Sequence, residues 1–131
     1  MNKKIIGVVA CSAVAASMAI GASASDELIK VGYAQVGHES DWRTANTQNY
    51  QDVFSEENGY ELSFVDCDND NAAQIEAVRN FINQELDYIV IAPIQSAGWD
   101  TVLQEAQDAG IPVIIADREI EASEDLYDAW V

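Results

Sequence analysis

Short, continuously apolar runs alternate along this chain with segments whose apolar residues recur at three- and four-residue intervals. Leu28 to Ala34 is a β-type run. Asp41 to Asn58 is helical in spacing, with Tyr50, Val53 and Phe54 on one face and Gly59 where helices commonly turn left-handed. Tyr60 to Val65 alternates in strand fashion. Ala72 to Gln84 aligns Ile75, Val78, Phe81 and Ile82 in one helical stripe. Tyr88 to Ala92, YIVIA, is apolar throughout, as a parallel strand covered on both faces should be. Ser96 to Ala109 puts Trp99, Val102, Leu103 and Ala106 on one side before Gly110, and Pro112 to Ala116, PVIIA, is the fourth strand.

This βαβαβαβ order predicts an α/β fold: a doubly wound parallel sheet of flavodoxin-like strand order, with helices on both faces. Ligands of such sheets sit beyond the carboxyl ends of the strands. Four segments therefore hold the candidate chemistry: Gln35–Arg43, Asp66–Asn71, Pro93–Gly98 and Asp117–Glu119. The tail after Asp117 is too short for another helix and strand, although Leu126 to Val131 has the character of a fifth-strand stub. An interrupted domain, the incomplete N-terminal lobe of a larger clamp over residues 25–131, is the expectation.

The first 24 residues stand apart. MNKK is basic, Ile5 to Ile20 is apolar and small, and Ala22-Ser23-Ala24 has the small-x-small form of a cleavage site. That is the layout of a secretory signal peptide, so a periplasmic or extracytoplasmic location is expected. Cys11 after Val8-Val9-Ala10 only weakly resembles a lipid-attachment site. Beyond residue 24 stand four basic residues, Lys30, Arg43, Arg79 and Arg118, against all 23 acids, a net charge of −19. Such a surface repels phosphate backbones and anionic lipid, so nucleic acid is not an expected partner. Cys67 is the single cysteine of that segment, which rules out an internal disulfide and a cysteine-based zinc site there.

The densest polar cluster follows the first strand: Glu39, Ser40, Asp41, Trp42 and Arg43, preceded by His38. A metal site would require three or four nitrogen, oxygen or sulfur donors converging on one point, and His38 is the sole histidine. A serine nucleophile would require an elbow such as Gly-x-Ser-x-Gly, which is absent. Ser40 or Asp41 is placed to cap the following helix. Trp42 offers an aromatic face that is either a staple onto the core or a platform for a sugar ring, and Arg43 offers fixed donors for vicinal hydroxyl or carboxylate oxygens. Asp117-Arg118, at the exit of the fourth strand, is either a surface ion pair or an acceptor and donor side by side, suited to a polyol. DCDNDN, Asp66 to Asn71, opens like a calcium loop but has Asn71 where glycine is needed and Ala77 where glutamate is needed. A strand-to-helix turn fits it better, with Asn71 as N-cap and Gln74 as its capping-box partner. No glycine-rich phosphate loop is present, and no cofactor, metal or catalytic set is expected.

VGYAQVGHESDWR, followed by IEAVRNFINQELDYIVIAPIQSAGWDTVLQEAQDAGIPVIIADRE, resembles the periplasmic sugar-binding proteins of ABC transporters, in the galactofuranose-binding branch of the ribose/galactose class. The similarity runs from about Leu28 to Tyr127. The resemblance implies a hinged, two-lobed clamp that closes on a monosaccharide, galactofuranose or a related aldose, and delivers it to a membrane permease. It assigns ligand contacts to Glu39, Ser40, Asp41, Trp42 and Arg43 and to the facing pair Asp117 and Arg118, with Trp42 packing on the sugar and Gln35 in support. Asp41 stands where a small residue is common. A second lobe would supply further ligand residues, so this chain is expected to carry half of a binding site. The competing reading is a sensory protein of the same fold that presents a sugar or signal molecule to a membrane receptor. A repressor's effector core fits the fold but not the export signal, and an enzyme lacks its nucleophile or base.

Overall fold

The apolar runs assemble into one parallel sheet in the computed structural model, which describes residues 27–131. The signal peptide expected over residues 1–24 lies outside them. In chain order the elements are β1 (Ile29–Gln35), α1 (Asp41–Val53), β2 (Tyr60–Asp66), α2 (Asn71–Asn83), β3 (Tyr88–Ile91), α3 (Asp100–Asp108), β4 (Val113–Ile115) and β5 (Ala129–Trp130). The spatial order is β2-β1-β3-β4-β5, every pair parallel, which is the expected doubly wound arrangement. The predicted stub does pair: Ile114 faces Ala129 and Ile115 faces Trp130.

Side chains alternate across this sheet because the strand period is two. Ala34, Ile89, Ile91, Val113 and Ile115 point to one face and are covered by α2 and α3 through Ala77, Val78, Phe81, Trp99, Leu103 and Ala106. Val31, Tyr33, Val90 and Ala116 point to the other, where Tyr50 and Phe54 of α1 lie on them. Gly32 belongs to the first face, and a Cβ there would stand 2.6 Å from the Phe81 ring. Only glycine lets α2 approach β1 this closely.

Three local expectations are corrected. α3 begins at Asp100, not at Ser96, because Gly98 is left-handed (φ 91°) and breaks the helical path before Trp99. α1 ends at Val53, not at Asn58. The Asn58 side-chain amide donates to the carbonyls of Asp52 and Val53, closing the helix end, and Glu56–Asn58 forms a separate 3-10 turn. Gly59 is left-handed as anticipated (φ 88°), but it terminates that turn. The N-cap of α2 is Asp70, whose carboxylate accepts from the Ala72 and Ala73 amides, and not Asn71. Gln74 is no capping-box partner. It is fully buried, donates to the carbonyls of Ala34 and Ala92, and accepts from the Ile94 amide. Position 74 faces the sheet, where the Ala92 carbonyl and the Ile94 amide have no other partner, and these outcompete the cap for its amide.

Candidate functional site

The strand register aligns the carboxyl ends of β1, β3, β4 and β5 along one edge, so residues distant in sequence converge there. Ser40 opens α1 as its N-cap, its Oγ accepting from the Arg43 amide at 3.2 Å, which fixes where Trp42 and Arg43 leave the helix. At the end of β4 the chain turns sharply. The Arg118 amide donates back to the Ala116 carbonyl at 2.9 Å across Asp117, whose φ is +71°. This is a three-residue γ-turn of the rare positive-φ kind, a strained geometry that recurs at binding sites. The Asp117 amide, donating to the Val131 carbonyl at 2.8 Å, braces it against the end of β5.

Arg43 and Asp117, 74 positions apart, meet as Arg43 Nη2 donates to Asp117 Oδ2 at 2.7 Å. Arg43 also donates from Nε to Glu39 Oε1 at 3.3 Å and from Nη1 to Gln35 Oε1 at 3.4 Å. Its side chain is only 5% exposed, whereas Asp117 and Arg118 remain 36% and 48% exposed. The guanidinium carbon lies 4.8 Å from the Trp42 ring centroid, a cation–π contact, yet Trp42 is 56% exposed. An indole this open is not a staple onto the core. Arg118 extends along the edge, with Nη1 3.4 Å from the Ile94 carbonyl and Nε 3.7 Å from Asp117 Oδ2. Between Trp42 and Asp117 lies an open depression of about 240 Å³, floored by Ala92 and Ala116 and walled by Tyr33, Asn46 and Tyr50.

The structure thus brings together Glu39, Trp42, Arg43, Asp117 and Arg118, with Ser40 acting locally as cap. Asp41 is exposed in the first turn of α1 and makes no side-chain hydrogen bond among the described residues. His38 stands outside the cluster. Its Nδ1 is 2.7 Å from Asp66 Oδ2 on the outer rim, and that hydrogen bond and charge raise its pKa above the ordinary 6.5. Among the described residues no group of three or more His, Cys, Asp or Glu side chains converges as a metal cage. Burial, reinforced by Asp66 and Asp70, pushes the Cys67 thiol to about 11, which makes it a poor nucleophile.

Tyr33 and Asn46 were not among the residues the sequence singled out. The Tyr33 hydroxyl donates to Asn46 Oδ1 at 2.7 Å, and Gln35 Nε2 donates to the same oxygen at 2.9 Å. Burial, then the neighbouring Tyr50, holds the Tyr33 phenol well above its ordinary pKa, so it stays a donor. The available signal was helical spacing: Asn46 lies four residues after Trp42 and four before Tyr50, on the same flank of α1.

The fold is that of a parallel α/β lobe with an exposed indole and an acid–arginine pair at its carboxyl edge. The chain belongs to the periplasmic binding protein domain family, whose model matches residues 31–129. It is 42% identical over 124 residues to the galactofuranose-binding protein YtfQ of Escherichia coli, covering 95% of this chain and 37% of that one. Its structure is similar to that of a Mycobacterium smegmatis protein in complex with β-D-fucofuranose: TM-score 0.74, 45% identity, 78% of this chain and 34% of the other. It is also similar to the fructose-binding periplasmic domain of the hybrid two-component system BT1754: TM-score 0.66, 29% identity, 79% of this chain and 33% of the other. The chain therefore spans little more than a third of the length of the curated relative it matches.

Proposed function

We propose that this chain forms one jaw of a monosaccharide clamp serving an ABC sugar importer in the periplasm, with galactofuranose or a related aldose as ligand. The observation that supports it most is the convergence at one sheet edge of an exposed indole and a carboxylate–guanidinium pair. An indole face packs against sugar C–H groups, while Asp117 accepts from hydroxyls and Arg118 donates to them. Asp117 has one carboxylate oxygen engaged by Arg43 and the other without a partner among the described residues. An acceptor and a donor side by side are hydrogen-bonding chemistry, as a solute carrier needs. Glu39, Ser40 and Asp41 form the polar rim, and the opposing jaw would come from sequence corresponding to the remainder of the relatives.

The test is calorimetric titration of a panel of furanose-forming monosaccharides into the full-length protein carrying this chain. Saturable heat with at least one sugar is expected, and its absence across the panel overturns the proposal. A second reading, sensing in place of import, is supported by the similarity to a periplasmic domain of a two-component system. Sugar-dependent stimulation of a reconstituted permease's ATP hydrolysis would favour import, and sugar-dependent kinase phosphorylation would favour sensing.

A further inference from the structure

Arg43 is the one charged side chain buried among the described residues. A guanidinium removed from water needs acceptors on its N–H groups. Two of its three are the carboxylates of Glu39 and Asp117, both more than a third exposed and able to accept whichever way they turn. The third is different. Gln35 is fully buried, and its amide has one accepting and one donating end. Turned end for end, it would present N–H groups to the guanidinium.

The surrounding bonds decide which way it faces. The Val36 amide, which can only donate, bonds to Gln35 Oε1 at 3.0 Å, on the same oxygen that receives Arg43. Gln35 Nε2 must then donate, and it does so to Asn46 Oδ1 at 2.9 Å and Thr47 Oγ1 at 3.3 Å. Asn46 meets it with oxygen, and Tyr33 donates to that oxygen as well. Each contact along Tyr33–Asn46–Gln35–Arg43–Asp117 pairs a donor with an acceptor: Tyr33 and Gln35 both donate to Asn46, and Arg43 donates to both Gln35 and Asp117, with β1 and α1 supplying the parts before Asp117 is reached.

We propose that Asn46 and Gln35 are positioning residues for ligand binding: an amide relay, half-buried at Asn46 and fully buried at Gln35, that holds Gln35 with its oxygen toward Arg43, so that Arg43 holds Asp117 with one carboxylate oxygen free in the cleft. This rests on the reading of the cleft as a monosaccharide site. Gln35 is fully buried, and Asn46, although it lines the depression, is assigned its effect through Gln35 and not through the sugar.

Titration of the full-length protein separates the relay from a direct contact and from a general packing effect. Asn46→Leu removes the acceptor and is expected to weaken sugar binding roughly ten-fold or more. Asn46→Asp keeps the acceptor and should recover most of that loss, to within about three-fold of the parent. In an Arg43→Ala background, Asn46→Leu should change affinity by less than about two-fold, because the relay has no other output. An equal loss with and without Arg43, or an Asn46→Asp variant as weak as Asn46→Leu, overturns the relay and makes Asn46 a direct contact. Gln35→Leu provides a second entry to the same cycle, in case Asn46→Leu fails to fold. If the parent binds no sugar in the panel, the clamp reading itself fails, which is a different result from a parent that binds and variants that do not follow the cycle.

Discussion

At the residue scale the site divides into groups that are held and groups that are offered. Arg43 is held by three acceptors, while Trp42, Asp117 and Arg118 are exposed. Because Trp42 is more than half exposed, truncating it removes little native packing. Trp42→Ala should lower sugar affinity about ten-fold or more while leaving the melting temperature nearly unchanged, as calorimetry and thermal denaturation would show. Unaltered affinity would remove the indole from the site. His38 offers a cleaner titration, since it is the sole histidine. Asp66 raises its pKa above 6.5. For Asp66, burial alone would raise the pKa from 3.8, but the Asp68 amide and His38 together outweigh it and lower the value. The raised histidine stabilises the fold fully below pH 6.5, and this is lost as pH rises through its folded pKa. The lowered carboxyl stabilises above pH 3.8, and this is lost as pH falls through its folded pKa. The pair is thus strongest between those values. NMR should show His38 titrating above 6.5, and returning towards 6.5 in Asp66→Asn; an unchanged titration would dissolve the pair.

At the element scale, what was legible followed from periodicity, and what was not followed from competition for hydrogen bonds. YIVIA and PVIIA read as buried strands because the runs are too short for a buried helix and are bounded by turn signals. The stripe Ile75, Val78, Phe81, Ile82 read as helix for the same reason, and α2 forms there. The end of α1 was not legible, because Asn58 reaches back to helix carbonyls that spacing alone leaves unassigned. DCDNDN held several potential caps, and the choice of Asp70 over Asn71 depends on backbone turns at Asp68 and Asn69, both with positive φ. Gln74 has capping-box spacing, yet tertiary position sends it across β1 and β3. Gln74→Leu would leave the Ala92 carbonyl and the Ile94 amide unpaired and strip the Ala34 carbonyl of its second donor, and should cost about 2 kcal/mol or more. Gly32→Ala would drive a methyl into Phe81 and should cost about 1–3 kcal/mol. Urea denaturation checks both; a loss below about 0.5 kcal/mol in either would contradict the packing described, being the size of an ordinary surface change.

At the scale of the whole molecule, the sheet edge matters more than any single contact. Strand order 2-1-3-4-5 places the exits of β1 and β4 on either side of β3, and that alone brings Arg43 to Asp117. That the Glu39–Arg43 segment and Asp117-Arg118 meet at one edge was legible from strand order, whereas their assignment as ligand contacts came from the family resemblance. The relay of Tyr33, Gln35 and the half-buried Asn46 was not, since amide orientation is a property of neighbours in space. The most direct measurement is a crystal structure of the full-length protein grown with a monosaccharide it binds. The clamp account predicts a furanose ring packed on Trp42, with hydroxyls within hydrogen-bonding distance of Asp117 and Arg118. A sugar seated away from this edge, touching none of the three, would contradict it.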